Sequence, residues 1–506
     1  MVASAWRLVQ TLATFERTGA MEVALEAMEA PRIIRVLSRV IGVPLSVIGL
    51  RGDPSMPPVL RALTALGPAY IKFGQILSTR PDVVGNELAS ELRILQDRLP
   101  PFPQEEAEAE IERELEARPE ELFTSFSPPV AAASIAQVHR AVLREGGRVV
   151  AVKILRPQIE RAFRRDIQAF YFAASVIEFL SPASRRLKPH AVVAHFDSVV
   201  QGELDLRMEA SAAAEFHANT EKDPGFRVPL VVWPLSSRRV LTTEWVEGIN
   251  LGDTDALIAA GHDLQRLAAH VVQSFLRHAL RDGFFHADMH QGNLKVGPGG
   301  EIIAIDFGIM GRIDAYTRRV YAEILMGFLR QDYLRVAEVH FEAGYVPPDR
   351  DVHLFAQSLR SIGEPIFGQD ASRISMARLL AHLFDVTERF GMETRTELLL
   401  LQRTMVVVEG VGRSLDPNMN MWEVARPVVE DWIRANLGAR AMARDIRRSL
   451  TILSRFGPKL PAITEHLLVE AGRRLEPVPE PPERPRWPAF AAGLAAGAVA
   501  VWLALG

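Results

Sequence analysis

The chain has 506 residues, 48% of them hydrophobic, and a formal net charge of −4. It is therefore too long for one small domain and carries no electrostatic footprint for nucleic acid. The absence of cysteine excludes disulfides, thiolate zinc sites and a cysteine nucleophile, and the 13 histidines include no HExxH pair.

In chain order, residues 1–126 read as a helical N-terminal extension, broken near 49–54 and at the prolines of 100–103. It closes with an acidic helix over 104–122 whose charges suit a solvated face. No N-terminal segment has a signal-peptide layout, and the apolar stretch at 41–50 is interrupted by Pro44, so it could at most graze an interface. The pattern over 63–77 predicts one mostly apolar helix with Lys72 and Gln75 three apart on one face. Read alone, that pair is a surface polar pair. Asp82 and Glu87, in and near the following turn, read as caps.

Residues 127–248 read as a strand-bearing small lobe with a helical insert near 157–200. Val149–Leu155 is an apolar, β-branched run carrying the single charge of Lys153. A lysine there either snorkels to solvent from a strand edge or must be paired. The helix expected over 201–219 supplies Glu209 as the partner. Before this strand comes Ala131-Ala132-Ala133-Ser134 where a phosphate-gripping glycine loop would be expected; alanine restricts such a backbone, and the same run also has plain helix propensity. The segment 228–243 looks like a hairpin turning near Ser236-Ser237, and 244–248 looks like a hinge whose backbone could meet adenine.

Residues 249–438 read as a large helical lobe containing FHADMHQGN and IDFG. Asn293 lies five positions after Asp288 and thirteen before Asp306. That interval holds a catalytic loop and two short strands around Gly297-Pro298-Gly299-Gly300, which would deliver Asp306 beside Asn293. Phosphoryl transfer needs a cation on the phosphates, oxygen ligands on a metal, and a base or water-positioner near the acceptor. Lys153, Glu209, Asp288, Asn293 and Asp306 occur in the order that meets those needs, with His286 placed to orient the loop backbone. GVGRSLDP at 410–417 is a late landmark. A helical tail and proline-rich linker fill 439–486, with the prolines running from 477 to 488. Residues 487–506 are uncharged and follow Arg484 and Arg486, so they are expected to span a bilayer with the body on the cytoplasmic side. Gly493 and Gly497 form a GxxxG pattern that suits a homodimer and also follows from an Ala/Gly-rich composition.

The alanine loop, the ELDLRMEA segment and Lys72-Phe73-Gly74-Gln75 within LGPAYIKFGQILSTRPDVV together resemble the UbiB family of atypical kinase-like ATPases, accessory proteins of ubiquinone biosynthesis. The resemblance covers roughly residues 66–427. With the C-terminal span, it implies an α+β, bilobal protein-kinase-like fold with a helical N-terminal KxGQ extension and a C-terminal transmembrane helix. It implies that the KxGQ helices cover the active site, with Lys72 and Gln75 reaching in and meeting Glu203 and Asp205, so that the groove for a protein substrate is occluded. Lys153 and Glu209 would form the nucleotide-positioning ion pair, and Asp288 would take the catalytic-loop role. Ala131, Ala132, Ala133, Ser134, Glu244 and Val246 would contact ATP or ADP, and Asn293 and Asp306 would hold Mg²⁺. The chain departs from the family pattern at Ala136, where glycine is common, and at Met289 and Gln291, where prolines are common. The implied activity is a membrane-attached ATPase supporting ubiquinone biosynthesis. Its implied partners are membrane lipids and quinone-pathway enzymes or phenolic lipid intermediates, with no nucleic acid, at the inner (cytoplasmic) membrane. A phosphotransferase acting on a protein or small molecule and a nucleotide-binding pseudokinase scaffold are the alternatives. The complete polar set argues against the scaffold, and the extension and alanine loop argue against an ordinary kinase.

Overall fold

The computed structural model describes residues 2–27, 46–78, 86–92, 101–180, 189–367, 389–392 and 396–437, with a few isolated positions between them. The candidate span at 487–506, the proline-rich stretch and Asp82 lie outside the described residues. Among the described residues no helix is long and apolar enough to cross a membrane. All elements that build the site belong to the compact unit Met1–Trp432.

The N-terminal part contains α1 (Val2–Thr18), α2 (Ala20–Ala27), α3 (Pro58–Leu66), α4 (Pro68–Leu77), α5 (Asn86–Leu92), α6 (Gln104–Leu115) and α7 (Pro119–Leu122). The single helix expected over 63–77 is two. Gly67 sits at φ 108° and its N–H caps Leu63, while Pro68 opens α4 at its first position. A side chain at Gly67 would meet nothing within 4 Å, so the demand there is on backbone conformation and not on space. The acidic helix also stops early, at Leu115, where Glu116 adopts left-handed φ 53°. Its face is not wholly solvated, because Glu110 is buried against Arg239.

A four-stranded antiparallel sheet follows, in the order β1 (Phe123–Ala132), β2 (Ala136–Leu143), β3 (Val149–Leu155), β5 (Val240–Glu244). The strand period of two divides β3 between two cores. Val150, Val152 and Ile154 pack with Phe102, Ile111 and Phe123. Leu155 packs on the other side, with Leu206 and Ala210. The insert forms α8 (Ile159–Leu180), α9 (Pro189–Glu203) and α10 (Leu206–Thr220). The helix expected over 201–219 is therefore broken at Leu204-Asp205, where the Asp205 side chain accepts from the Arg207 N–H at 3.1 Å and caps α10.

A second sheet has the order β4 (Phe226–Arg227), β9 (Ile302–Ala304), β8 (Leu294–Val296), β6 (Ile249–Asn250), and β7 (Phe284–His286) pairs with β10 (Met310–Arg312). The helices α11 (Thr254–Ala259), α12 (Leu264–Arg277), α13 (Ala315–Leu329), α14 (Tyr333–Glu342), α15 (Val352–Phe367), α16 (Thr396–Leu415) and α17 (Met421–Leu437) lie between and after these strands in chain order. Only eight residues, 307–314, separate Asp306 from α13. The segment 228–243 does turn at Ser237, whose N–H donates to Val240, but its pairing is one isolated bridge between Val231 and Thr243.

Candidate active site

β3 carries Lys153 towards α10 and the chain that follows β9. Lys153 Nζ lies 2.7 Å from Glu209 Oε1, 2.8 Å from Oε2 and 3.1 Å from Asp306 Oδ2. Glu209 occupies the first turn of α10, so its carboxylate also benefits from the helix N-terminus. Two carboxylates here share one ammonium. Burial alone would lower the Lys153 value, but Asp306 and Glu209 outweigh it and hold the ammonium above the ordinary lysine range. Burial likewise opposes ionisation of Asp306, and Lys153 with the Gly308 N–H overcomes it, keeping this carboxyl below its usual range. Glu209 is pushed up, by burial first and then by Asp306 against the pull of Lys153.

The catalytic loop is assembled around His286. Its Nδ1 accepts from the Asp288 N–H at 3.1 Å, so Nε2 carries the proton and donates to the Asp306 carbonyl at 2.6 Å. One imidazole thus ties the loop backbone to the residue that ends the hairpin, and burial depresses its value so that the neutral form persists. The hairpin β8–β9 closes as its turn residues require, and the Ile305 N–H donates to Asn293 O at 3.0 Å, bringing Asp306 beside Asn293. Asn293 Nδ2 donates to the Asp288 carbonyl at 3.0 Å, which commits its amide nitrogen and leaves the amide oxygen as its ligand atom. The Asp288 carboxylate is one-third exposed and lies 3.7 Å from His290 Nε2. From α16, Thr404 donates to the Ala287 carbonyl at 3.1 Å and braces the loop from behind.

The alanine run is not helical. Ala131 and Ala132 end β1, and Ala133 and buried Ser134 lie in a turn that the Ala133 N–H closes onto Ala136 O at 2.8 Å. At the end of β5, Glu244 gives its carboxylate to Arg227 at 2.5 Å, so any contact it makes with a base would be through the backbone. Val246 is buried just beyond it.

The extension meets this site through α4. Lys72 Nζ and Glu203 Oε1 are 2.6 Å apart, with side-chain exposures of only 16% and 11%. Phe73 and Ile76 pack on the cluster that holds Ala69 and Ala136, with Ile135 also against it. Asp205, expected to meet α4 together with Glu203, pairs with Arg207 at 2.9 and 2.6 Å and caps α10. The Gln75 carbonyl accepts from Ser78 Oγ at 2.6 Å.

Sequence reading passed over a charged network beneath the alanine turn. Arg239 reaches Glu110 at 2.5 Å, Glu160 and the Arg156 carbonyl at 2.9 Å. Its other members lie 79 to 129 positions from Arg239, so no local spacing could have marked the arginine as their partner.

The residues present fit magnesium. Asn293 and Asp306 offer hard oxygen atoms, and the half-buried triad of two carboxylates and one ammonium is one positive charge short. Among the described residues no group of three or more His, Cys, Asp or Glu is placed to hold a metal, so an ion here would share its shell with phosphate oxygens, as magnesium commonly does.

Residues 94–340 match the model of the ABC1 atypical kinase-like domain, and residues 359–420 match that of the UbiB helical domain. A protein of Marinobacter nauticus named "Probable protein kinase UbiB" is 41% identical over 414 residues, covering 81% of this chain and 76% of its own. The solved structure of Rv3197 with erythromycin, from Mycobacterium tuberculosis, is similar in fold. It has a TM-score of 0.51 and 24% identity, and the match covers 72% of this chain and 92% of that one. The mixed helix-and-sheet architecture is thus the kinase-like ABC1 fold, and the chain belongs to the UbiB family of atypical kinase-like proteins.

Proposed function

We propose that this protein is a magnesium- and nucleotide-dependent atypical ATPase that is attached to a membrane and supports ubiquinone biosynthesis. The observation that carries the reading is the Lys153–Glu209–Asp306 cluster, formed from residues more than 50 positions apart. In this reading Lys153, fixed by Glu209, meets the nucleotide phosphates, and Asp288 orients the attacking group. Asn293 and Asp306 would hold Mg²⁺, which supplies positive charge to the transferring phosphoryl group. The turn at Ala131–Ser134 would cover the phosphates, and the backbone near Glu244 and Val246 would meet the base.

Two features favour water or a small acceptor over a protein acceptor. The segment of eight residues after Asp306 gives β10, which pairs at once with β7, and leaves little chain on which to seat a peptide. The half-buried Lys72–Glu203 pair clasps α4 to the end of α9, and Ala69 of α4 packs with Ala136 beside the alanine turn, where the extension would restrict access for a protein substrate. The uncharged run at 487–506, preceded by two arginines, supports attachment to a cytoplasmic membrane, where lipids and phenolic quinone precursors would be its neighbours. Likeness to a protein named UbiB supports the pathway.

Nucleotide turnover by the purified protein, with and without vesicles and phenolic quinone precursors, tests this. Lys153→Ala and Asp306→Asn should each lower turnover by on the order of a hundredfold or more. Hydrolysis unchanged in both variants would remove the proposed site. Phosphate transferred to an added phenol or protein would favour the phosphotransferase reading, and binding without turnover would favour a scaffold.

A further inference from the structure

The alanine turn is held from beneath by one side chain. Arg156 follows β3 directly; its backbone N–H donates to Ile135 O at 2.8 Å, and its Nε and Nη2 both donate to the Ala133 carbonyl, at 3.3 and 3.1 Å. Arg156 is itself fixed. Its guanidinium lies 5.7 Å from the Phe102 ring centroid, and its carbonyl accepts from Arg239, which is anchored by Glu110 of α6 and Glu160 of α8.

Direction follows from strand geometry. Arg156 shares the side of β3 where Val152 and Ile154 pack with Phe102, whereas Lys153 leaves the other side for Glu209. In a trans peptide the carbonyl and the following N–H point in opposite directions. With the Ala133 carbonyl held towards Arg156, the Ser134 N–H is turned to the Lys153 side.

We propose that Arg156 is a positioning residue for nucleotide phosphate: by gripping the Ala133 carbonyl it presents the Ser134 N–H to the phosphate chain that Lys153 meets. The turn cannot rely on glycine to adapt its backbone to a ligand, so the orientation of this peptide must be imposed by a neighbour. The inference rests on the nucleotide reading above and adds to it a residue that never touches the ligand.

The test is titration of the full chain in detergent with ATP, ADP and adenosine, alongside thermal unfolding. Arg156→Met should weaken ATP and ADP about tenfold, the scale of one charge-assisted hydrogen bond, and leave adenosine unchanged. Arg156→Lys keeps one donor nitrogen in place of two and should recover part of the loss, to within about threefold of the unmodified protein. If the methionine variant does not fold, the lysine variant still reads the ratio of ATP to adenosine affinity. An unchanged ratio in the folded variants, or parallel loss of all three ligands, would overturn the proposal and leave Arg156 as a packing residue. Failure of the unmodified protein to bind any of the three would instead overturn the nucleotide reading, and this inference with it.

Discussion

His286 shows how much a single tautomer decides. With Nδ1 accepting from Asp288 N–H and Nε2 donating to the Asp306 carbonyl, the ring holds both carboxylate-bearing residues without touching either carboxylate. His286→Leu leaves a buried acceptor and a donor unpaired and should cost about 2–4 kcal/mol of stability. Loss of loop geometry should also reduce turnover by on the order of a hundredfold. Denaturant unfolding and steady-state hydrolysis read the two effects, and a variant that keeps full turnover would show that the loop is oriented by other contacts. At this scale much of the site was legible in the sequence. Lys153, Glu209, Asp288, Asn293 and Asp306 could be named because ion pairs and loop spacing constrain residue type, and the structure brings Lys153 to Glu209 and Asp306 and Asn293 to Asp288. Arg156 and Arg239 were not legible, since an arginine after a strand looks the same whether it faces solvent or a carbonyl.

At the scale of elements, the breaks matter more than the helices. Gly67-Pro68 and Leu204-Asp205 each divide a segment whose apolar pattern runs through, and each break lies within about one helical turn of a member of the Lys72–Glu203 contact. An apolar pattern reports which face is buried and is nearly silent about a single residue of changed φ. Lys72→Ala leaves Glu203 poorly exposed and unpaired, and should lower stability by about 1–3 kcal/mol. A Lys72→Met, Glu203→Leu double variant should recover part of that loss, because removing both charges removes the desolvation penalty as well. Thermal unfolding of the set measures the coupling, and purely additive effects would mean that the pair does not clasp α4 to α9. With the clasp opened, protease cleavage near the α3–α4 junction should quicken.

At the scale of the whole molecule, burial acts on the histidines together. His139, His270, His278, His286 and His340 all lie below the ordinary imidazole value, chiefly through burial, and His340 is pushed down to about 4. A group whose folded value is depressed binds more protons when unfolded, so its contribution to stability is complete above about pH 6.5 and is lost as the pH falls. Asp223, held below its usual range by His278 and Arg281 against the effect of burial, acts in the same sense at lower pH. Stability should therefore fall steadily from pH 7 to pH 4, with His340 alone contributing on the order of 3 kcal/mol across that interval. Urea midpoints at pH 7.5, 6 and 5 check the sign, and a midpoint that rises on acidification would contradict it.

Residue type and order by themselves determined the kinase-like order of functional groups, the β8–β9 hairpin, the alanine run in place of a glycine loop, and the mixture of helices and strands. Each of these is a local demand: a strand period, a turn chemistry or a fixed loop length limits what can stand at a position. Only the tertiary structure decided that Asp205 caps a helix while Glu203 takes Lys72, that Glu110 belongs to a buried network, and that Arg156 grips the alanine turn. Those outcomes depend on which distant charge arrives at a low-dielectric contact, where an unpaired group is too costly to leave unsatisfied and the partner is chosen by packing and not by spacing.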